Sequence, residues 1–387
     1  MRVARPICAD CASRGLLLAA LAGHISMAVD RAAGRRARDL LALGDEELAA
    51  AMTPSAADAQ HVLAQARAPE SVRALGRRLE ASGCWMLCRH DDDWPESLGL
   101  LEGAEPRALF GRGDPSLPAA PDPVTVVGAR RAGPYGREVA EGLGHGLGAA
   151  GVTVISGLAL GIDSAVHEGT VRAAAQGMAV LAAGPDRAYP RQASRLYREL
   201  IATGGAVVSE LPPGTSVRRW MFPARNRVMA AIGELTIVVE AAERSGSLIT
   251  AEMASDCGRT VAAVPGPVNS WRSSGTNLLL IDGATPVRGA ADVLEHLHGA
   301  GAPSIAAATA GPPLAPVEAT VLDALERGHG TADAIAIALG IAGTDVTAAL
   351  ARLELAGYVD MDFAGTWART LLNPPAGGTG AANTIAR

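Results

Sequence analysis

Short apolar runs alternate with segments of helix length from Val124 onward, and this alternation constrains the fold more than any other feature of the sequence. Most of the runs are apolar throughout, as strands buried on both faces of a parallel sheet are. Strand, loop, helix and strand in repetition predict a doubly wound α/β sheet. The predicted strands are VTVVG, VTVIS, MAVLAAG, AVVSE, LTIVVEA, TVAAVPG and TPVRG.

The regions on either side of this sheet have different patterns. Apolar residues recur at helical spacing before it, and Pro-rich or Ala/Gly-rich segments border it on both sides. After the second border, three helical patterns and a short hairpin pattern predict a winged helix. The predicted domains are a helical N-terminal domain at 1–110, a linker at 111–123, a Rossmann-like domain at 124–298, a linker at 299–315, a winged helix at 316–372 and a disordered tail at 373–387.

Groups that suit an anion follow two of the predicted strands. Ligands of doubly wound sheets bind where the carboxyl ends of the strands meet. Glycines in these turns let a phosphate approach the backbone, and helix N-termini and arginines supply donors and positive charge. The candidates are Gly128, Arg130 and Arg131 after the first strand, and Ser245, Gly246, Ser247 and Thr250 after the fifth.

Two other patterns resemble known sites without fitting them. A GxGxxG string, GLGAAG, ends a predicted helix and precedes a strand, whereas the dinucleotide fingerprint follows a strand. Asp163, Ser164 and His167 fall within one and a half helical turns, whereas a catalytic triad needs groups from separate elements. We therefore expect Asp163 to cap a helix and His167 to make a structural hydrogen bond.

An acid-free stretch between residues 212 and 233 stands out in a chain with net charge -6. It contains FPARNRVMAAIG, and its cations are arginines because the chain has no lysine. The planar, forked guanidinium group suits phosphates and base stacking. Phe222 could offer a stacking face or be buried in the core. The arginines of this stretch are Arg218, Arg219, Arg225 and Arg227.

Five cysteines, an odd number, suit a reducing cytoplasm better than a disulfide framework. Cys8 and Cys11 form a Cys-x-x-Cys pair, and CWMLCRH carries Cys84, Cys88 and His90. Zinc is compatible with the two pairs, but 72 residues separate them and the second spacing is loose. Two local packing clusters are the favoured interpretation, and we expect no bound metal.

The sequence shows no apolar run that approaches the roughly 20 residues needed to span a bilayer. GLLLAALAG imitates the core of a signal peptide, but Asp10 interrupts the basic flank that precedes it. We therefore expect a cytoplasmic protein without a membrane partner.

An ordered set of motifs from Val126 onward resembles the DNA-processing protein A family, also called DprA or Smf. In chain order the motifs are VVGARRAGPYG, SGLALGIDSAVH, AVLAAG with a following YP, VVSELPPG, FPARNRVMAAIG, VVEAAERSGSLITAEMA, VAAVPGPV and GTNLLLIDGA. The resemblance extends over about residues 124–297. It implies a homodimeric bacterial protein that binds single-stranded DNA and loads RecA recombinase during natural transformation. It implies neither a cofactor nor turnover.

The resemblance also implies which residues bind DNA. The arginines would face phosphates, Phe222 would stack on a base, and Asn226 would fix the loop rather than touch DNA. The chain departs from the family pattern at Gly133, where serine is frequent, and at Leu160, where arginine is. The residues carried over are Gly128, Arg130, Phe222, Arg225, Asn226 and Arg227.

Two questions of function stay open at this level. Residues 316–372 hold three arginines against eight acids, which opposes duplex binding and favours a protein-interaction or regulatory module. The alternative to a DNA binder is a nucleotide-binding or nucleotide-processing protein, in which the crevice would hold a mononucleotide and Glu240 would act on it. The open-ended arginine stretch favours a polymer.

Overall fold

The computed structural model describes residues 7–30, 36–299, 312–361 and 365–369. The chain divides into two compact units, Met1–Leu297 and His298–Arg387.

Nine strands of the described residues form one sheet in the first unit, in the order β1-β2-β6-β5-β4-β3-β7-β8-β9. Neighbours from β6 to β9 are all parallel. Each of the seven predicted apolar runs contains or overlaps one of these parallel strands, so the doubly wound sheet is confirmed. The strands are β1 Trp85–Cys88, β2 Ala108–Gly113, β3 Val124–Val127, β4 Val154–Ser156, β5 Gly177–Val180, β6 Ala206–Ser209, β7 Leu235–Val238, β8 Thr260–Ala263 and β9 Thr285–Pro286.

Strands β1 and β2 lie in the region for which helices alone were expected, and that expectation is wrong there. β2 pairs antiparallel with both β1 and β6 and so extends the sheet. The ring of Phe110 on β2 is fully buried, and a Cβ at Gly15 would lie 2.9 Å from it. Apolar residues at helical spacing dominate the first hundred residues, and strands of only four and six residues give no recognisable alternation beside them.

The first unit also has twelve α-helices among the described residues, five before the sheet and seven within or after it. They confirm a helical N-terminal region. The helices are α1 Ala9–Asp30, α2 Arg36–Ala42, α3 Asp45–Met52, α4 Ala56–Arg67, α5 Pro69–Ser82, α6 Pro134–Ala149, α7 Ile162–Arg172, α8 Ser194–Ala202, α9 Met221–Ile232, α10 Gly246–Asp256, α11 Ser274–Ile281 and α12 Ala290–His298.

Helix α1 is long and apolar enough to cross a membrane by length and composition, contrary to the expectation from the sequence. Most of its leucines are buried within the unit, in a cluster that includes Leu17, Leu21 and the side chain of Trp220, while Met27 is exposed. The indole nitrogen of Trp220 donates to the carbonyl oxygen of Ala22 at 3.0 Å. In this structure α1 is a core helix that holds the segment leading into α9.

The GxGxxG string lies where the sequence analysis put it, at the end of α6 and just before β4. Its neighbour Gly144 has a packing role, because a Cβ there would lie 1.9 Å from the carbonyl oxygen of Val166 on α7. Gly169 on α7 is equally close to α6, with a Cβ 2.0 Å from the carbonyl oxygen of Glu141. The two helices therefore pack backbone against backbone.

The second unit has the predicted winged-helix arrangement, three helices followed by an antiparallel pair of strands. Its core includes Val321, Leu350 and Tyr358, which are fully buried. The elements are α13 Pro316–Glu326, α14 Ala332–Leu339, α15 Gly343–Leu355, β10 Val359–Met361 and β11 Trp367–Arg369.

We predict that Gly144→Ala lowers the free energy of unfolding by about 2 kcal/mol, because the added methyl group forces α6 and α7 apart. Denaturant unfolding followed by circular dichroism measures the change. Gly23→Ala is the matched control, since a Cβ at Gly23 on α1 would meet nothing within 4 Å. The control should be neutral or slightly stabilising. Equal stability of the two variants would contradict the close packing.

Candidate functional site

A crevice of about 530 Å³ opens where the strand order changes direction. The chain passes from β3 through β4 and β5 to β6 on one side of the sheet, and then returns to place β7 on the other side of β3. The loops that follow β3 and β7 therefore diverge. Such a switch point is where doubly wound sheets bind ligands.

Ten of the eleven residues that the sequence analysis gives as anion candidates or carries over from the family line this crevice. They come from the loop after β3, from the first turn and a half of α9 and from the N-terminal part of α10. Arg227 is the exception. The ten are Gly128, Arg130, Arg131, Phe222, Arg225, Asn226, Ser245, Gly246, Ser247 and Thr250.

Arg130, Arg131 and Arg244 give the rim of the crevice its positive charge. All three side chains are exposed, and within the described ranges none forms an ion pair with a carboxylate. The guanidinium group of Arg130 lies over the ring of Phe222, 5.0 Å from its centroid. Arg244 was not proposed from the sequence, where ERSGS drew attention to its serines. The rim presents forked donors that suit an anion.

Arg225 lies in the floor rather than on the rim, and only 8% of the residue is exposed. Its Nη1 donates to the carbonyl oxygens of Gly157, at 2.7 Å, and Val180. Its Nε donates to Oδ1 of Asn226 at 2.8 Å, so Asn226 fixes this side chain. A Cβ at Gly157 would lie 2.2 Å from the guanidinium nitrogens, which explains the glycine. Burial lowers the pKa of Arg225, and the carboxylate of Asp163, 3.9 Å away, opposes that shift.

Arg227 is not placed for the phosphate contact expected from the sequence. It is 1% exposed, and its Nη2 is 2.8 Å from Oε1 of Glu210. Its other nitrogens donate to the carbonyl oxygens of Ala104 at 2.9 Å and Ala224 at 2.7 Å. Two positions along a helix turn the side chain by about 200° from Arg225, and this direction leads into the core.

Two aromatic side chains border the crevice. Phe222 is half-buried, with its ring centroid 5.8 Å from that of Tyr189, and it also packs against the helical core. Trp271 is 64% exposed, and the guanidinium of Arg272 lies 4.9 Å from its centroid. Sequence reasoning did not propose Trp271, because it lies in the irregular segment after β8. The adjacent Trp and Arg of NSWRSSG are the only local pattern that marks it.

Glu240 orders the loop after β3. Its two carboxylate oxygens accept hydrogen bonds from the amide of Gly133 at 3.1 and 3.0 Å, and Arg272 is 3.5 Å from one of them. Burial raises the pKa of Glu240, and the Gly133 amide and Arg272 oppose the shift. A Cβ at Gly136 would lie 2.0 Å from Oε2, so the helix begins tightly against this carboxylate. Glu240 is not among the residues that line the crevice.

Asp163, Ser164 and His167 do not form a catalytic relay. The buried carboxylate of Asp163 accepts from the amides of Gly157 at 3.1 Å and Ala159 at 3.3 Å, and Ser164 donates to the carbonyl oxygen of Ala159. Neither ring nitrogen of the buried His167 makes a hydrogen bond of normal geometry within the described part of the chain. Burial lowers the pKa of His167 to about 4, although the backbone of Ser156 is near enough to oppose this shift.

A second depression of about 750 Å³ adjoins the crevice across Arg130 and Arg131, which line both. Its walls also carry Arg137, Arg172 and Arg195. Arg172 pairs with Glu141, and Arg195 pairs with Glu199 at 2.7 Å. The two exposed arginines of the first loop therefore form a ridge between two open depressions.

Fold and crevice together define a Rossmann-like protein with an arginine-rimmed site at the switch point of its sheet. Comparison with known proteins gives the particular family. The model of the family DNA recombination-mediator protein A matches residues 85–298, and that of the DprA winged helix domain matches residues 305–361. The first match covers more than half of the chain, so the chain belongs to the DNA recombination-mediator protein A family, as the resemblance implied.

Relatives and solved structures agree with this assignment. The putative DNA processing protein DprA of Mycobacterium tuberculosis (strain H37Rv) is 38% identical over 309 residues, 76% of this chain and 78% of that protein. The structure of DprA from Streptococcus pneumoniae has a TM-score of 0.57 and 31% identity, and covers 66% of this chain and 87% of that one. A DprA structure from Helicobacter pylori, described for its single-stranded DNA binding mode, has a TM-score of 0.50 and 26% identity, and covers 56% and 97% of the two chains.

We predict that Arg227→Ala lowers the free energy of unfolding by about 3 kcal/mol, because it leaves Glu210 and the buried carbonyl group of Ala104 without the donor that they have in the wild type. Denaturant unfolding measures the loss. Arg219→Ala is the control, since Arg219 belongs to the same acid-free stretch but is exposed. Its stability should stay within about 0.5 kcal/mol of the wild type. If the two variants lose the same free energy of unfolding, the buried hydrogen bonds and ion pair of Arg227 do not stabilise the fold as predicted.

Proposed function

We propose that this protein binds single-stranded DNA in the crevice at the switch point and loads RecA recombinase on it during natural transformation, as a homodimer in the cytoplasm. The observation that carries the DNA site is the set of exposed arginines without carboxylate partners that surrounds a crevice bordered by an exposed Trp271. Membership of the recombination-mediator family supports the role, and the Helicobacter pylori relative supports the class of ligand.

The two kinds of side chain perform different parts of the binding. Arg130, Arg131 and Arg244 contact phosphates and release condensed counterions, which makes binding depend on salt. Trp271 offers a face on which a base stacks, a contact that every base can make. Arg225 and Glu240 hold the loops in position and do not contact DNA themselves.

The openness of the site favours a polymer over a mononucleotide. The crevice continues past the ridge formed by Arg130 and Arg131 into the adjoining depression, so a strand can cross the ridge with consecutive phosphates on both sides. Glu240, the residue that a nucleotide-processing reaction would use, is engaged with Gly133 and Arg272 instead. The proposed activity is therefore binding without turnover.

Fluorescence anisotropy of a labelled single-stranded oligonucleotide across a salt series tests the site. We expect Arg130→Ala to weaken binding and to reduce the slope of log affinity against log salt by about 0.7, because one phosphate contact is lost. Trp271→Ala should weaken binding by about 5- to 100-fold and leave the slope unchanged, because stacking releases no counterions.

Arg77→Ala is the matched control for net charge, since Arg77 is an exposed arginine on α5 outside the crevice. If Arg130→Ala and Trp271→Ala bind DNA as tightly as the wild type and the Arg77→Ala control do, the DNA site does not lie in this crevice. A mononucleotide that displaces the oligonucleotide at equal concentration would instead favour the nucleotide-binding alternative.

The winged helix acts in this proposal as a protein-interaction or regulatory module. Its three arginines are all paired with carboxylates, Arg327 with Asp323 at 2.6 Å, Arg352 with Glu318 at 2.7 Å and Arg369 with Glu326. The charges that a phosphate would need are already neutralised.

A chain that ends at Gly299 should therefore keep its affinity for single-stranded DNA within about threefold of the full chain, with the same salt slope. The same anisotropy titration measures both quantities. If truncation reduces the slope of log affinity against log salt by about 0.7 or more, the value of one phosphate contact, the winged helix binds DNA directly.

A further inference from the structure

Four metal-binding side chains converge at the start of the helical region. Cys8 precedes α1, Cys11 lies in its first turn, Cys88 is the last residue of β1, and His90 lies in the turn that follows. Their ligand atoms all lie within 4.8 Å of one another. The sequence analysis favoured two separate packing clusters, and the structure corrects this, because folding brings residues 77 or more positions apart to one point.

The distances fit a tetrahedral ion. Nδ1 of His90 is 3.5 Å from Sγ of Cys8, 3.5 Å from Sγ of Cys11 and 3.9 Å from Sγ of Cys88. Tetrahedral zinc with Zn–S bonds of about 2.3 Å and Zn–N bonds of about 2.05 Å separates a sulfur from a nitrogen ligand by about 3.5 Å. Small movements of the side chains are enough to place all four around one ion.

We propose that Cys8, Cys11, Cys88 and His90 bind one zinc ion. Three thiolates and an imidazole nitrogen are a ligand set of structural zinc sites, and four protein ligands close the coordination sphere. The sulfur of Cys84, the fourth cysteine considered from the sequence, stays outside the set and lies 3.8 Å from the carbonyl oxygen of Ser82.

The surroundings suit this ion. Cys8 and Cys11 lie at the N-terminus of the 22-residue helix α1, where the helix dipole favours thiolates. The carboxylate of Asp91 accepts a hydrogen bond from the amide of Cys88 at 2.7 Å and so holds the turn that presents His90. Cys11 and Cys88 are buried among apolar residues, while His90 is exposed and can be replaced without a cavity.

The role of the zinc is to join two parts of the chain. The match to the family model begins at residue 85, so Cys88 and His90 lie inside it and Cys8 and Cys11 lie outside. The ion would attach α1 to the outermost strand of the sheet. This inference does not depend on DNA binding, and its test reads metal content alone.

Elemental analysis of the full chain, purified under reducing conditions without a metal-affinity column, tests the site. We expect about one zinc per chain in the wild type. His90→Ala and Cys11→Ser should retain less than about a fifth of it, and Cys84→Ser should retain all of it. After exchange with Co²⁺, the wild type and Cys84→Ser should show the visible bands of tetrahedral thiolate coordination.

Three results would overturn the proposal. The first is a wild type without zinc that also gives no tetrahedral Co²⁺ spectrum. The second is a folded His90→Ala that keeps the zinc and spectrum of the wild type. The third is a Cys8–Cys11 disulfide, found by thiol alkylation and mass spectrometry in protein purified with reductant.

Discussion

The buried guanidinium group of Arg225 ties helix α9 to the carboxyl ends of β4 and β5. Helix α9 carries the chain from β6 on one side of the switch point to β7 on the other. From this helix Arg225 donates to carbonyl oxygens at the ends of β4 and β5, next to the carboxylate of Asp163. A buried cation needs such partners, since desolvation otherwise opposes its charge. This one side chain therefore holds helix α9, which carries Phe222 and Asn226, against the carboxyl ends of β4 and β5 and so shapes the floor of the crevice.

The parallel sheet and the place of the crevice could be predicted from the sequence because both follow from local patterns. Apolar runs mark buried strands, and the glycines and arginines after them mark the carboxyl edge. β1 and β2 could not be predicted, because they are short and owe their conformation to distant pairing, β1 with β2 and β2 with β6. The direction in which Arg225 and Arg227 point was equally hidden, because the acceptors that decide it, on residues such as Gly157 and Ala104, are distant in sequence.

The positions of one aromatic residue and of the cysteines were also beyond prediction from the sequence. Phe222 was found because it precedes an arginine stretch, whereas Trp271 lies in a segment with no regular structure to mark it. The two cysteine pairs were recognised as compatible with zinc, but their separation argued against it. Only the pairing of β1 with β2 and the packing of α1 on β2 place Cys88 beside Cys11. Long-range contacts of this kind leave no pattern in either segment.

The stacking of Arg130 on Phe222 couples two contacts that would otherwise be independent. While the guanidinium covers the ring, a base that approaches alone must displace a cation, and a phosphate that approaches alone must draw Arg130 off an attractive aromatic face. In the proposed DNA complex, a nucleotide unit would bring both groups together, so that the phosphate would recruit the arginine as the base takes its place on the ring. The pair would thereby discriminate against isolated phosphates and isolated bases, and would favour a chain in which the two are covalently joined.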